Sequence, residues 1–358
     1  MAIPYGDANT AEMLKCCHIS GVSNNFCHRK FPEIHGIATP VCGLVRNDVF
    51  FLTASNYNFP YQGESMTQRR IFALGFFDGV HLGHQALLKA CVELAARLDA
   101  ETAAITFENH PQSLFSNEIP PLLTTLEDRQ RLLRRYGMAH IYAFPVTKEV
   151  MSTNWRAFLD LLVAYGAVGF VCGDDFRFGS RGEGNGERLQ QYCAEQGLPC
   201  VIIPEQTMDD TRVSSTYIRS QIEAGDMATA VRFLGHPHIL SGEVVSGRHI
   251  GRSIGVPTAN LLIPEGIVVP NFGVYACRVK IDGIDYCAVA NVGTRPTVGG
   301  HRVTVEPWIL GFEGDLYGKR LTLEFHKFLR PERKFDSLEK LRAEIRKNAE
   351  ETKEFFQK

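Results

Sequence analysis

The sequence predicts an α/β protein in two parts: a doubly wound parallel sheet, then a barrel- or sandwich-like set of short strands followed by a C-terminal helix. Three observations carry that reading. Apolar strand-like runs at 71–74, 103–107, 141–145 and 168–172 alternate with helical patterns, among them 126–136 and 155–165. After Gly235 the texture changes to β-like runs broken by glycine, at 239–245, 274–281, 286–292, 303–309 and 321–328. Phe335, Leu338, Leu341 and Ile345 then recur at helical spacing with charges on the other side. The expected domains are 66–238 and 239–358, each with its own core.

The first strand runs into Leu74-Gly75-Phe76-Phe77-Asp78-Gly79-Val80-His81-Leu82-Gly83-His84-Gln85, and Ala86, Leu87, Leu88, Ala90 and Val92 give the apolar side of the helix that follows. The turn therefore delivers His81 and His84 to a helix N-terminus, where backbone N–H groups and the helix dipole favour phosphate. Gly79 and Gly83 allow a bulky anion close to the backbone. Two imidazoles can donate hydrogen bonds to phosphoryl oxygens as charge builds on them. The chemistry that fits is attack on the α-phosphate of a nucleoside triphosphate with pyrophosphate leaving.

Composition bounds the partners. The chain has 358 residues and a net charge of −2, so phosphate binding must be local, and nothing argues for nucleic acid or an anionic membrane. The most apolar window, 158–172, carries Asp160 and falls short of the ~20 residues needed to cross a bilayer. Ten cysteines without a C-x-x-C pair match neither a zinc site nor a disulfide framework, which predicts reduced thiols and a cytoplasmic setting. Residues 1–65 hold four of those cysteines, have no helical or strand period, and are not a signal peptide. Met66 abuts the first strand, and Gly63-Glu64 can be encoded by a purine-rich ribosome-binding sequence. The expectation is that 1–65 form a non-native or disordered leader.

Further along, His110 ends the second strand in Thr106-Phe107-Glu108-Asn109-His110-Pro111, where an open α/β sheet places ligand contacts. Asp175 and Arg177 follow the fourth strand in Gly173-Asp174-Asp175-Phe176-Arg177-Phe178-Gly179 and suit a ligand or the loop itself. Gly182, Gly184 and Gly186 read as a flexible loop, since no strand directly precedes them and no Walker lysine follows. Val213-Ser214-Ser215-Thr216-Tyr217-Ile218-Arg219 sets hydroxyls at a helix start, which both cap and bind phosphate, with Arg219 in reach of an anion. In the second half, the loop from Gly247 to Asn260 includes Gly251, Arg252, Gly255 and Pro257 and ends in Thr258-Ala259-Asn260. Thr258 and Asn260 alternate onto one face, so both oxygens can meet one Mg²⁺. Glu306, within a later strand, is a candidate base for phosphoryl transfer to an alcohol.

From Met66 onward the chain resembles the prokaryotic bifunctional riboflavin kinase/FMN adenylyltransferases, the FAD synthetases. The motifs that carry the likeness are G-F-F-D-G-V-H-L-G-H, T-F-E-N-H-P, G-D-D-F-R-F-G, S-S-T-Y-I-R, G-R-S-I-G-V-P-T-A-N, G-V-Y-A, N-V-G-T-R-P-T and Val305-Glu306. The resemblance implies a Rossmann-like nucleotidyltransferase that joins AMP from ATP to FMN, and a Greek-key barrel kinase that makes FMN from riboflavin. It puts His81, His84, Gly75, Phe77, Asp78, Gly79, Gly83, Ser214, Ser215, Thr216 and Arg219 at ATP in the first site. Gly251, Arg252, Gly255 and Pro257 belong to ATP in the second, Thr258 and Asn260 to Mg-ATP, and Glu306 to the ribityl 5′-hydroxyl. His110, Asp175, Arg177, Asn291 and Arg295 are expected at flavin.

The chain departs from the family at Phe76, where G-N-F-D-G is common, at Asn109 in T-F-x-P-H-P, and at Pro307-Trp308 and Gly311 after the base. Alternatives are an FMN adenylyltransferase with a weakened kinase half, another H-x-G-H nucleotidyltransferase of pantetheine-phosphate or glycerol-phosphate type, and a non-catalytic flavin-binding regulator. The P-T-A-N half argues against the second, and the retained histidines, Asn260 and Glu306 against the third.

Overall fold

The structure, a computed structural model, describes residues 68–116, 118–246, 255–297 and 300–357. The expectations for 1–65, Gly251 and Arg252 lie outside the described residues, as does the side chain of Arg295.

Five parallel strands form the first sheet: β1 (Arg70–Leu74), β2 (Glu101–Phe107), β3 (His140–Phe144), β4 (Ala167–Gly173) and β5 (Cys200–Ile203), in the order β3-β2-β1-β4-β5. Ile71, Phe72, Ala73 and Leu74 are fully buried, as a central strand covered on both faces requires. The connecting helices are α1 (Leu82–Leu98), α2 (Leu126–Arg135), α3 (Lys148–Met151), α4 (Trp155–Ala164) and α5 (Gly186–Gln196). The chain leaves β1 for β2 and β3, then crosses back to β4. The gap between the C-terminal ends of β1 and β4 is thus the switch point where such sheets bind ligands.

The glycine-rich segment after β4 is ordered rather than a flexible loop. Phe178 and Gly184 bridge, and Gly186 opens α5 beneath the Asn185 cap, whose Oδ1 accepts from Arg188 N at 2.9 Å. A Cβ on Gly184 would lie 2.5 Å from the Phe178 ring, so glycine there serves close packing. A two-stranded ribbon, β6 (Thr207–Met208) and β7 (Thr211–Arg212), then leads to α6 (Ser215–Ala224) and α7 (Met227–Leu234).

The second half is a closed barrel of β8 (His238–Val245), β9 (Asn260–Leu262), β10 (Gly273–Ile281), β11 (Ile284–Thr297), β12 (Gly300–Ile309) and β13 (Arg320–Pro331), in the order β10-β11-β12-β9-β8-β13. Three consecutive strands with the fourth returning beside the first is the Greek-key arrangement. Helix α8 (Leu338–Gln357) covers part of the outer face, with Ala349 among Val274, Val289 and Trp308.

The cores are not independent. Leu123, Ile218, Ile222, Phe233 and Leu234 share one apolar cluster with the barrel's Leu240, Tyr275, Leu323 and Phe325. Polar contacts tighten the join: Ser241 Oγ donates to the buried Asp128 of α2 at 2.6 Å, and Arg131 Nη1 donates to Thr322 Oγ1 at 2.7 Å. A fragment starting at Ser241 begins inside β8 and lacks α6 and α7. It should therefore be insoluble or unfolded, while one extended back to about Val213 should give a dispersed NMR spectrum. A well-folded 241–358 fragment would show that the shared cluster is dispensable.

Candidate functional sites at the sheet switch point and on the barrel

After β1 the chain turns in two left-handed steps that side chains rarely adopt, at Phe77 (φ 60°) and Val80 (φ 43°), with Gly79 (φ 77°) between them. For the β-branched Val80 this is a strained conformation, of the kind found where neighbours over-determine the backbone. Those neighbours are identifiable. The Asp78 carboxylate, 2% exposed, accepts from Leu123 N (2.9 Å), Thr124 N (3.1 Å) and Thr124 Oγ1 (3.3 Å) and meets Arg219 Nη2 at 3.4 Å. His236 Nε2 lies 2.9 Å from the Gly79 carbonyl, and Gln85 Nε2 donates to the carbonyls of Val80 and Leu234. A Cβ on Gly79 would fall 2.6 Å from Leu123.

The turn sets His81 as the N-cap of α1. Its Nδ1 accepts from the His84 amide at 3.4 Å, which leaves the proton of a neutral ring on Nε2. The His81 and His84 rings stack with centroids 3.7 Å apart, and Phe77 meets His84 edge-on at 5.3 Å. Gly83 leaves room for this stack, because a Cβ there would sit 3.3 Å from the His81 ring, a tight contact. Burial drives the His81 pKa down to about 4 and that of His84 well below the usual imidazole value. His84 Nδ1 is buried without a hydrogen-bond partner. Two neutral imidazoles at a helix N-terminus form a donor set suited to phosphoryl oxygens.

Several expected ATP residues serve the frame of the site. Asp78 and Arg219 face each other, and Arg219 Nε donates to Pro121 O at 2.5 Å. Ser215 Oγ donates to the Asp78 carbonyl at 3.0 Å, and Ser214 caps α6 by accepting from Tyr217 N at 3.2 Å. Thr216 lies beside them in the first turn of α6. Gly75 passes under the Phe77 ring, whose atoms a Cβ would meet at 2.8 Å.

His110 caps the turn after β2 by accepting from Gln112 N at 3.1 Å. Its pKa is lowered by burial, with Asp78 opposing and Arg219 and Arg129 reinforcing the shift, so it belongs to the same charged neighbourhood. Asp175, exposed after β4, pairs with Arg212 Nη2 at 2.5 Å, and Arg212 also holds Glu205 at 2.9 Å. The charge of Arg212 contributes to lowering the His81 pKa, which connects Asp175 to the histidines. Arg177 lies in the same loop, with its stem near Gly182.

Two arginines escaped the sequence reading. Arg212 sits in a short ribbon, one residue before the Val213–Arg219 motif. Arg129, fully buried in α2, donates through Nη1 to Phe76 O (3.2 Å), Thr106 Oγ1 (3.0 Å) and Phe107 O (2.8 Å), tying together the ends of β1 and β2. Its Nε and Nη2 are buried without partners, its guanidinium lies 4.4 Å from the Phe76 ring centroid, and burial brings its pKa to about 10. Phe76 in turn meets His110 edge-on at 5.3 Å. A charged residue in an amphipathic helix reads as solvated surface, and only the tertiary structure reveals this one as core.

The second constellation lies on the barrel. Register pairs Asn291 with Glu306 across β11 and β12. It also pairs Leu261 with Val305 and bridges Thr258 to Trp308, which sets Asn260 opposite Glu306 on the other side. Asn260, Glu306 and Asn291 therefore form one polar row across three adjacent strands, on the face opposite the buried Leu261, Val305 and Val292. Thr304 Oγ1 donates to Glu306 Oε1 at 3.4 Å, and Asn291 Nδ2 donates to Glu332 Oε1 at 3.1 Å. Asn260 is 9% exposed and its Oδ1 is buried without a partner. An orphaned hard oxygen beside Thr258 and a carboxylate fits a divalent cation such as Mg²⁺. Pro257 and Gly255 (φ 71°) form the exposed approach to this row.

Comparison with known proteins matches both halves of the chain. A family model described as FAD synthetase matches residues 64–217, and one described as riboflavin kinase matches 234–356. The bifunctional riboflavin kinase/FMN adenylyltransferase of Listeria monocytogenes is 35% identical over 293 residues, covering 81% of this chain and 93% of that protein. The chain belongs to this family. The protein of the same description from Escherichia coli is 36% identical, covering 80% of this chain and 92% of its own. A crystal structure described as a macrolide-efflux protein from Streptococcus pneumoniae matches with a TM-score of 0.72 at 30% identity, over 80% of this chain and 94% of that one. Among the described residues of this chain, no helix is long and apolar enough to cross a membrane.

The buried histidines of this flavin-enzyme family member make stability depend on pH. His81, His84, His236 and His238 all have lowered pKa values, with His238 at about 3. The folded protein keeps them neutral, whereas the unfolded chain protonates them near 6.5. Below that value the unfolded state binds more protons, and stability falls as pH drops toward 4. Asp78, whose pKa is raised, works in the opposite sense in the carboxylate range. For His81 alone the loss between pH 7 and pH 5 is about 2 kcal/mol. Urea unfolding at the two pH values should show it, and equal midpoints would mean these imidazoles are not desolvated.

Proposed function

We propose that the protein phosphorylates riboflavin to FMN with ATP on the barrel and adenylylates FMN to FAD with ATP at the sheet, releasing pyrophosphate. The observation that carries this reading is the coexistence of two built polar sites in one chain: the stacked histidine pair at the α1 start, and the Asn260–Glu306–Asn291 row on the barrel.

At the sheet, the α1 amides with Gly79 and Gly83 receive the ATP phosphates, aided by Gly75, Phe77, Ser214, Ser215 and Thr216 around the turn. Asp78 and Arg219 act by holding that turn in shape. An FMN phosphate oxygen attacks the α-phosphorus, and the bond to the departing pyrophosphate breaks. Charge grows on the phosphoryl oxygens, and the neutral imidazoles of His81 and His84 donate hydrogen bonds to them. His110, Asp175 and Arg177 line the flavin side.

On the barrel, Glu306 takes the proton of the ribityl 5′-hydroxyl as that oxygen attacks the γ-phosphorus of ATP, and the bond from the γ-phosphorus to the bridging oxygen breaks so that ADP leaves. Thr258 and Asn260 would hold the Mg²⁺ of Mg-ATP, which would neutralise phosphate charge. Gly251, Arg252, Gly255 and Pro257 are assigned to ATP, and Asn291 and Arg295 to flavin. The partners are small molecules, and the six described cysteines are free thiols, in keeping with a cytoplasmic setting.

The assay is riboflavin with Mg-ATP, following FMN and FAD by chromatography. Changing His84 to Ala should abolish FAD formation from FMN while FMN formation continues, since one such donor contributes roughly 3–4 kcal/mol to the transition state. Glu306→Gln should lower phosphorylation by roughly 10²–10⁴-fold and spare adenylylation. If either variant keeps near-wild-type turnover in its own reaction, the corresponding assignment is wrong.

A further inference from the structure

The carboxylate of Glu332 lies just beyond the end of β13 and belongs to no motif singled out in the sequence. It accepts from Asn291 Nδ2 at 3.1 Å. Asn291 is the residue opposite Glu306 in the ladder, on the same face of the sheet. Gly293, two residues further along β11, is buried beneath Glu332: a Cβ there would lie 2.2 Å from Glu332 Oε1 and 2.9 Å from its carboxyl carbon. Gly293 has no positive φ, so its missing side chain serves space rather than backbone conformation. The barrel thus keeps a gap on β11 that the Glu332 carboxylate fills.

An asparagine amide can present either end to a ligand. A carboxylate is acceptor-only, so bonding to Glu332 commits the Asn291 NH₂ group to that side and leaves Oδ1 as the end free for a ligand. We propose that Glu332 is a positioning residue of the flavin kinase site, which locks the Asn291 amide so that its oxygen accepts from a hydroxyl of the polyol chain of the flavin. The inference rests on the reading of the Glu306 row as the riboflavin site. Glu332 touches no reacting atom. It sets the orientation of its neighbour, and so acts on flavin affinity rather than on the chemical step.

The test uses the full-length protein and steady-state riboflavin phosphorylation, with FAD formation from FMN as the check that each variant is folded. Glu332→Ala should raise the riboflavin KM about five- to tenfold, the cost of one lost hydrogen bond, while kcat and the KM for Mg-ATP change less than about twofold. Glu332→Gln retains an acceptor oxygen but can also donate, so it should raise the riboflavin KM by less than Glu332→Ala does. Gly293→Ala, which expels the carboxylate without altering it, should reproduce the Glu332→Ala effect. Asn291→Asp sets two carboxylates against each other and should be rescued in part by adding Glu332→Gln, because the glutamine NH₂ can then donate. An unchanged riboflavin KM in Glu332→Ala, or equal losses in the Gln and Ala variants, overturns the proposal. A wild-type protein that makes no FMN from riboflavin overturns the underlying site assignment and this inference with it, whereas wild-type turnover with silent Glu332 variants overturns the inference alone.

Discussion

The buried carboxylate of Asp78 is the constraint on which the rest of this structure depends. A charge with 2% exposure is tolerable only if nearly every oxygen lone pair is used. Two backbone amides, a hydroxyl and a guanidinium use them, and they come from two separate parts of the chain: the segment at 123–124 and helix α6. Burial still raises the Asp78 pKa despite all four partners. The same segment faces the barrel on its other side. Leu122 N donates to Gly266 O at 2.7 Å, and Val268 N donates to Leu122 O at 2.8 Å. One short strap therefore connects the turn that carries His81 to the barrel segment that follows β9. Removing one partner of a buried ion pair typically costs 3–5 kcal/mol, since it leaves the other charge uncompensated.

This arrangement explains how Phe77 and Val80 stay in left-handed conformations. Strain of this kind costs of order 1–3 kcal/mol per residue and persists only under external constraint. Asp78 lies between the two and is fixed by its carboxylate, while the Gly79 and Val80 carbonyls are held by His236 and Gln85. The output is the placement of two imidazoles, stacked at 3.7 Å, on the first turn of α1. A relaxed turn would not hold them so.

The sheet, the barrel and the histidine turn were legible because their signals are local. Continuous apolar runs mark the parallel strands, and F-D-G followed by H-x-G-H marks the turn into α1. What escaped depends on long-range contacts. Arg129 looks like one charge among many in α2, yet it is fully buried where β1 and β2 end. Glu332 becomes visible only when β13 folds back beside β11. Asp78 and Arg219 were assigned to ATP from their motifs, and those motifs did not show the bonds that also tie them to each other and to the segment at 121–124. The change in texture near Gly235 located the start of the barrel, but it could not reveal that α6 and α7 lend their apolar faces to it. Phe76, the departure from the family's usual asparagine, has a physical role here: its ring covers a desolvated guanidinium at 4.4 Å, where a cation–π contact is worth about 2 kcal/mol.

The electrostatics of the two sites solve one problem in different ways. A chain with net charge −2 has no broad positive field to draw in a nucleoside triphosphate. At the sheet, attraction comes from fixed dipoles and from imidazoles held neutral by burial, which cost less to desolvate than cations. A bound phosphate chain would favour the protonated imidazole and oppose that burial, so proton uptake and anion binding are linked there. On the barrel the donor set is oxygen, from Asn260, Thr258 and Glu306, which repels phosphate unless a cation lies between. The Oδ1 of Asn260 is buried there without a partner. The sheet thus offers N–H donors and the barrel oxygen acceptors, and the strap at 121–125 ties the two within one folded unit.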